Sequence, residues 1–334
     1  MRRVGINGLG RIGRMVLRHL LQTPHVEVVA LNDLADPALL AHLLRHDSAH
    51  GPAPFTVAAS GAALVLGGRR IPLFTEPDPA HIPFGAAGAQ VVLECTGRFT
   101  RRDQAAAHLR EGVSHVLISA ASEDADHTVV MGVNESGLDP AAARVISAAS
   151  GTSQGLAPLV KVLDDAFGLD YGFATAVHSY TSDQRILDLP HGDLRRARAA
   201  AASMIPTSTS AVAVLARVLP HLAGRLDGLA VRVPTPDVSI VDLTATLKSD
   251  ATLEAVNTAF RKAADQGPLA PYLEVLDAEL VSVDLVGNPA SALYDPFLTK
   301  LLGPRMVKVF AWYDNEFAYA ARLKDLCLHV LERI

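Results

Sequence analysis

Cysteine is scarce in this chain: two residues in 334, Cys95 and Cys327, far apart in sequence. So few thiols exclude a disulfide framework and a zinc ribbon, and no metal-ligand cluster is read elsewhere. No apolar run is long enough to cross a bilayer. The first residues enter a strand pattern at once, Arg3 to Ile6, with no charged and apolar leader before it. An excess of one charge is missing as well. The chain has 30 Lys+Arg against 35 Asp+Glu, a net charge of −5, and its arginine pairs (Arg69-Arg70, Arg101-Arg102, Arg195-Arg196) are scattered. That balance argues against a nucleic-acid or anionic-membrane partner. Short-period repeats are absent too. The expectation is a cytoplasmic protein acting on small molecules.

What the chain does have is apolar material. Hydrophobic residues make up 49% of 334 positions, enough for buried cores and more than one core usually holds, so two domains are expected. The segment "RRVGINGLGRIGRMVLRHLL" reads as strand, glycine turn and helix, with Gly8, Gly10 and Gly13 in the G-x-G-x-x-G spacing. Gly8 permits the tight turn, Gly10 lets backbone approach a pyrophosphate, and Gly13 allows close helix–strand packing. Arg11 and Ile12 open the helix, whose amides and positive dipole end face the phosphates. Ile12, Val16, Leu17, Leu20 and Leu21 form its expected apolar side. A second strand, "VEVVALND", ends at Asp33, about 20 residues after the last glycine, where a carboxylate grips the adenosine ribose and repels a 2′-phosphate. These features predict a Rossmann domain binding NAD in preference to NADP.

Further strands are read at Ala89–Gly97, His115–Ala120, Thr128–Asn134 and in "RVISAAS". In doubly wound sheets the carboxyl ends of such strands line the ligand crevice, which makes Thr96, Gly97 and Ser119 candidate cofactor contacts. Cys95, just inside a strand end, reads as a small buried residue. The stretch "ISAASGTSQGLAPLVKVL" then turns from strand into helix, with Ser150 or Thr152 able to cap it and Leu156, Leu159, Val160 and Leu163 at helical spacing. Such a corner suits a nucleophile, because helix amides and dipole stabilise an anion there. The residue at the corner is Gly151. Farther on, His178 ends an alternating strand, "FATAVHSY", and Arg232 sits in the apolar strand "LAVRVPTPDVSIVDLT". A charge in that setting must be paired or bind an anion. Its candidate partners are Asp237 or Asp242 on one reading, and a phosphate shared with the hydroxyls of Thr181 and Thr209 on the other.

The motifs "GINGLGRIGR", "HDSAHG", "SGTSQGLAP", "HSYTSDQRILDLPHGDLRRARAAA", "MIPTSTSA", "VRVPTPDVSIVDLT" and "WYDNEFAYAAR" together resemble phosphorylating glyceraldehyde-3-phosphate dehydrogenase, from the first strand to the last helix. The resemblance implies an α/β protein: a Rossmann dinucleotide-binding domain (residues 1–150 with a returning helix at 316–334) and an α+β catalytic domain on a mostly antiparallel sheet (151–315). It implies a homotetramer, NAD as cofactor and a phosphorylated substrate. His178 corresponds to the general base. Thr181 and Arg232 correspond to the site for the substrate's phosphate, and Ser150, Thr152, Thr209 and Arg196 to the site for attacking phosphate. Asn315 corresponds to the residue that fixes the nicotinamide amide, Tyr319 to the ring beside it, and Leu189 and Pro190 to the loop of NAD-preferring members.

The departures are concentrated at the corner. The family pattern A-S-C-T-T-N-C here reads Ala149-Ser150-Gly151-Thr152-Ser153-Gln154-Gly155, so Gly151 stands at the nucleophilic cysteine. "STS" at Ser208 to Ser210 replaces S-T-G, Pro77 stands where many members keep an arginine near the adenine, and Phe317-Ala318 replace Trp-Gly. Glycine offers neither the addition nor the thioester of the family reaction, and losing a nucleophile from such a unit typically costs on the order of 10⁶ in turnover. The chain is therefore not expected to carry out thioester-based phosphorylating oxidation. Four readings remain: an NAD enzyme that oxidises a hydrated aldehyde; a redox-neutral enzyme on a related phosphorylated or carboxylated metabolite; a Cys→Gly trap of an active enzyme; or a paralogue that senses NAD or sugar phosphate. Gln154 and Gly155 differ as well, which tilts the origin towards natural divergence.

Overall fold

The computed structural model describes all 334 residues. The chain forms two units, one from Met1–Val129, Ser136–Ala149 and Ala320–Ile334, the other from Val130–Glu135 and Ser150–Tyr319. No helix is long and apolar enough to cross a membrane.

The first unit is built on nine strands: β1 (Arg2–Asn7), β2 (Val26–Asn32), β3 (Val57–Ala59), β4 (Ala63–Leu66), β5 (Arg69–Phe74), β6 (Val91–Glu94), β7 (His115–Ile118), β8 (His127–Thr128) and β9 (Val145–Ser147). Their order is β3-β4-β5-β2-β1-β6-β7-β9-β8. From β5 to β8 all neighbours are parallel, and β3 and β4 add an antiparallel edge. The central strands are apolar on both faces, as parallel strands between helix layers must be; Val4, Ile6, Val91, Val92 and Leu93 are wholly buried. The Rossmann expectation is borne out. Because β2 lies on one side of β1 and β6 on the other, the strand order reverses at β1, and ligands bind at such a switch point.

Helix α1 (Arg11–Leu21) follows β1, and α2 (Pro37–Arg45) begins at Asp36, whose carboxylate accepts from the amides of Ala38 and Leu39. A short turn of helix, α3 (Arg102–Ala105), follows β6. The buried side of α1 is broader than the expected stripe: it adds Met15, Arg14 and Arg18, while Ile12 and Leu21 are only half-buried. The arginines are tolerated because backbone carbonyls receive them. Arg14 donates to Leu9 at 2.9 Å, and Arg18 to Leu44 and Gly51 at 3.0 Å each. A second correction concerns Thr128–Asn134, where only Thr128 is strand. The Asn134 side chain accepts from the Val130 amide at 2.8 Å and Gly132 takes φ +82°, so the segment closes as a turn.

The second unit holds α4 (Gly151–Phe167), β10 (Leu169–Ser179), β11 (Ile205–Thr207), α5 (Ala211–Val218), β12 (Leu226–Val233), β13 (Ser239–Leu247), α6 (Leu253–Asp265), β14 (Leu273–Val275), β15 (Ala292–Tyr294), β16 (Lys300–Leu302), β17 (Met306–Tyr313) and the first turn of α7 (Phe317–Leu331). The sheet runs β11-β12-β10-β13-β17-β15-β14, with β16 on β17. It is mostly antiparallel, as expected, with parallel pairs at β10/β12 and β14/β15. Period-two burial along β13 and β17 points Val241, Leu243, Ala245, Val307, Val309 and Ala311 into the core. The segment read as one strand around Arg232 is two, β12 and β13. Pro234 and Pro236 cannot donate to a ladder, and Val238 turns at φ +61°. The basic stretch after Asp193 forms a turn, in which the Asp193 carboxylate accepts from the amides of Arg195 and Arg196, and Ala200–Ala202 form a 3₁₀ turn.

Candidate active site

In the first unit the ends of β1 and β6 come so close that only glycine fits between them. A Cβ at Gly8, which has φ +90°, would lie 2.8 Å from the Thr96 amide nitrogen, and one at Gly13 would lie 1.9 Å from the Gly8 carbonyl. Nothing lies within 4 Å of a Cβ built at Gly10, the residue that opens α1 without a capping side chain. The helix N-terminus therefore opens on free space beside Gly10 with no capping side chain, an arrangement that suits a pyrophosphate. A cleft of about 250 Å³ there is lined by Gly8, Gly10, Asn32, Asp33, Pro77 and Thr96 among others. The backbone sets the direction of Asp33: its two oxygens accept from Leu9 at 2.7 Å and Ala35 at 2.9 Å. These features fit NAD.

The other first-unit candidates lie off this cleft. Arg11 reaches away from it to Asp47 in a two-pronged ion pair, with a second contact of 3.1 Å. Burial works against ionisation of Asp47, but hydrogen bonds from His50 and Arg11 outweigh it and hold the carboxyl well below the usual range. Ile12 and Gly13 continue the helix. Gly97 takes φ +68°, and Ser119 donates its amide to the Glu94 carbonyl at 2.9 Å. Sequence reasoning missed the polar floor below the cleft. Asn7 donates to Glu94 at 2.6 Å, His108 lies 3.1 Å from the same oxygen, and the Thr96 amide and hydroxyl both go to the other. A run such as "VVLECTG" gives no hint that its glutamate is wholly buried. Both cysteines are free and buried. Burial and the Glu94 charge push the Cys95 thiol up, and burial pushes Cys327 up to about 12.

In the second unit Ser150 caps α4, as read: its hydroxyl accepts from the Ser153 amide at 3.2 Å and meets the Ser153 hydroxyl at 2.7 Å. Thr152 meets the Tyr313 hydroxyl at 3.0 Å. Gly151 opens the helix between them. Apart from its own helix turn, a Cβ built on it would meet first the Asn315 carbonyl oxygen, at 3.4 Å. At Gly155 a Cβ would lie 2.8 Å from the Tyr313 ring, so aromatic packing fills that space. Ser210, at φ −80°, has an ordinary helical backbone, and replacing glycine there costs no strain.

Cross-strand register places His178 on β10 directly beside Arg232 on β12. Arg232 donates to the Ser179 carbonyl at 3.1 Å and to the Thr181 hydroxyl at 3.3 Å, and lies 2.9 Å from His178 Nδ1. None of its hydrogen bonds goes to Asp237 or Asp242, and Asp242 instead pairs with Lys308 at 2.6 Å. Nδ1 lies 2.7 Å from the Ser179 carbonyl and 2.9 Å from the Arg232 guanidinium; the first contact takes a proton on Nδ1 and the second takes its lone pair, and neither engages Nε2. Burial, helped by the Arg232 charge, lowers the His178 pKa to about 4, so the ring is neutral at pH 7. The Asn315 side-chain oxygen accepts from Ser179 and Ser239 at 2.8 and 2.7 Å, which turns its NH₂ outward as a donor. Tyr319 is buried in the first turn of α7.

The two expected anion groups are brought together unequally. Thr181 and Arg232 touch. Arg196 bonds Asp183 at 2.6 Å and Thr207 at 2.9 Å, and makes no hydrogen bond to Thr209, whose hydroxyl accepts from the Ala211 amide. Asp183 also accepts from the Thr181 hydroxyl, so one carboxylate bridges both groups. Asp183 and Thr207 escaped the sequence reading, although "YTSD" sets an acid two residues after Thr181, within reach of its hydroxyl.

Two family models match the chain: the glyceraldehyde 3-phosphate dehydrogenase NAD binding domain over residues 2–102, and the C-terminal domain of the same enzyme over residues 150–315. Among curated proteins the chain is 50% identical over 331 residues to glyceraldehyde-3-phosphate dehydrogenase of Geobacillus stearothermophilus, covering 99% of this chain and 98% of the relative. It is equally similar, with the same coverage, to glyceraldehyde-3-phosphate dehydrogenase 1 of Bacillus subtilis. It is 48% identical over 329 residues to the Streptomyces coelicolor enzyme, covering 98% of each. With a Rossmann unit suited to NAD and a second unit on a mostly antiparallel sheet, this chain belongs to the glyceraldehyde-3-phosphate dehydrogenase family.

Proposed function

We propose that the protein is an NAD-dependent oxidoreductase acting on a phosphorylated aldehyde without an enzyme-bound thioester. The observation that carries this is Gly151 at the start of α4, next to residues that otherwise suit the family's chemistry. No other group replaces the sulfur. Cys95 and Cys327 are buried in the first unit and hard to ionise. The hydroxyls of Ser150 and Thr152 are already engaged, and an alkoxide is far harder to form than a thiolate. In this reading His178 is the base, Thr181 and Arg232 hold the substrate's phosphate, and Ser150, Thr152, Arg196 and Thr209 surround a second anion. Asn315 and Tyr319 face the nicotinamide. Gly8, Gly10, Asp33 and Thr96 line the cofactor cleft, while Arg11, Ile12, Gly13, Gly97 and Ser119 support it from outside. Bound NAD would supply a hydride acceptor once a nucleophile from solution has added to the aldehyde carbon, while Thr181 and Arg232 orient that adduct and His178 takes its O–H proton.

The test is NAD⁺ reduction with glyceraldehyde 3-phosphate and inorganic phosphate. The unmodified protein should show no phosphate-dependent turnover, and Gly151→Cys should gain it, since the added side chain has room. Full phosphorylating activity of the unmodified protein overturns the proposal.

Asp33, fixed by two amides, supports a preference for NAD over NADP. A homotetramer belongs to the same proposal. Tyr171, Phe173, Leu229 and Met306 stand exposed on the sheet face opposite the core, an apolar surface that a second copy would cover. Two free thiols suit a reducing compartment such as the cytoplasm.

A further inference from the structure

We propose that the space at position 151 admits a diffusible small thiol, which acts as the nucleophile the chain lacks, and that the product is a free thioester. This rests on the reading above, that no thioester forms on the protein.

Four observations converge. A Cβ at Gly151 would make ordinary van der Waals contact with Asn315, at 3.4 Å and beyond, so an atom is accommodated where a cysteine side chain would begin. His178 is 8% exposed and neutral at pH 7; its Nδ1 is engaged by the Ser179 carbonyl and the Arg232 guanidinium, and its Nε2 has no hydrogen-bond partner. Position 151 and the imidazole are held on one set of residues. Gly151 packs on Asn315, which bonds Ser179, while Thr152 bonds Tyr313, whose ring meets His178 edge-on at 6.1 Å. The nearby hydroxyls of Ser150, Thr152 and Ser153 are engaged with one another or with Tyr313.

The nucleophile must therefore come from solution, as water or a solute. A thiol loses its proton near pH 8.5 and water only near about 15.7, so a neutral imidazole activates a thiol far more readily. In the step, the S–H proton passes to His178 Nε2 while a C–S bond forms at the aldehyde carbon. The C=O π pair moves to oxygen, which is protonated to give the hemithioacetal. The carbon then gives up its C–H as hydride to NAD⁺, and the hydroxyl proton leaves as C=O re-forms. The balance is RCHO + R′SH + NAD⁺ → RCOSR′ + NADH + H⁺. The aldehyde carbon is oxidised, NAD⁺ is reduced, and no bond to the protein is made or broken.

The full-length protein should be assayed with glyceraldehyde 3-phosphate and NAD⁺ while 2-mercaptoethanol is varied, with ethylene glycol as the oxygen counterpart. The expected result is saturable thiol dependence, about 10²-fold above the glycol control for a base-assisted attack. The product, trapped by hydroxylamine as a hydroxamate, should be a thioester. Gly151→Val should abolish the thiol effect. Gly151→Ala, the milder change if valine disturbs folding, should weaken it, and NAD affinity should be kept in both. Crystals soaked with the thiol should show an anomalous sulfur peak between position 151 and His178 Nε2, a readout independent of turnover. Thiol-independent NADH with the free acid as product would make water the nucleophile, overturning this inference and leaving the function above intact. No NADH under any condition, with NAD bound, also overturns it. Thiol-free, phosphate-dependent acyl phosphate formation overturns both.

Discussion

His178 shows how one side chain's surroundings set both chemistry and stability. Its folded pKa of about 4 lies below its unfolded value near 6.5, so the unfolded chain binds the extra proton as pH falls through that window. Stability contributed by the neutral ring is therefore full above about pH 6.5 and lost towards pH 4, by up to about 3 kcal/mol. Urea unfolding at pH 8 and pH 4.5 should show a smaller difference for His178→Asn than for the unmodified chain; equal differences count against the buried neutral ring. The Arg232 charge is the second cause of the lowered pKa. Arg232→Gln should raise the value towards 6.5, read from the imidazole NMR titration. Two glycines give a sharper contrast. Gly151→Ala should be neutral or stabilising by up to about 1 kcal/mol, because helix propensity improves and the added Cβ makes only ordinary van der Waals contact with Asn315. Gly155→Ala should lower stability by about 1–3 kcal/mol, because the buried Tyr313 ring must shift. Chemical denaturation of the two variants checks the pair.

At the scale of elements, α4 carries the corner on which the site is built. The Ser150 hydroxyl satisfies an orphan amide of its first turn. Ser150→Ala should cost about 1 kcal/mol in stability, measured as a lower urea midpoint with unchanged slope. Strand pairing does comparable work on the other side of the site. The parallel β10/β12 register sets His178 beside Arg232, although 53 residues separate Ser179 from Arg232 along the chain. The strand pattern around each residue was legible. Their adjacency was not, because register between distant strands depends on which hydrophobic faces meet in the core. Local turn chemistry misled at two points, and each time a short polar side chain or prolines overruled the pattern: Asn134 closing a turn in an apolar run, and Pro234 and Pro236 splitting one strand into two.

At the scale of the molecule, cofactor binding and self-association should dominate apparent stability. NAD at about 100 times its dissociation constant adds about 2.7 kcal/mol by mass action. NADP at the same concentration should give a smaller rise in Tm, checked by differential scanning calorimetry. The exposed apolar residues Tyr171, Phe173, Leu229 and Met306 should bring four chains together, which light scattering on the eluted protein measures. Phe173→Asp, 70% exposed on the free chain, should shift the species to a lower mass without loss of fold; an unchanged mass would place the interface elsewhere.

From the sequence alone came the glycine fingerprint with its acid at position 33, the alternating strand that ends at His178 and the glycine at the helix corner. Such signals lie within a few residues of one another, where backbone sterics and side-chain period act directly. Only the tertiary structure decided that Asp183 bridges Thr181 and Arg196, that Glu94 and His108 lie buried beneath the cleft, and that position 151 has room for a side chain while position 155 has none. Those facts depend on burial and on contacts between residues far apart in the chain, which packing of the whole unit sets and no local pattern encodes.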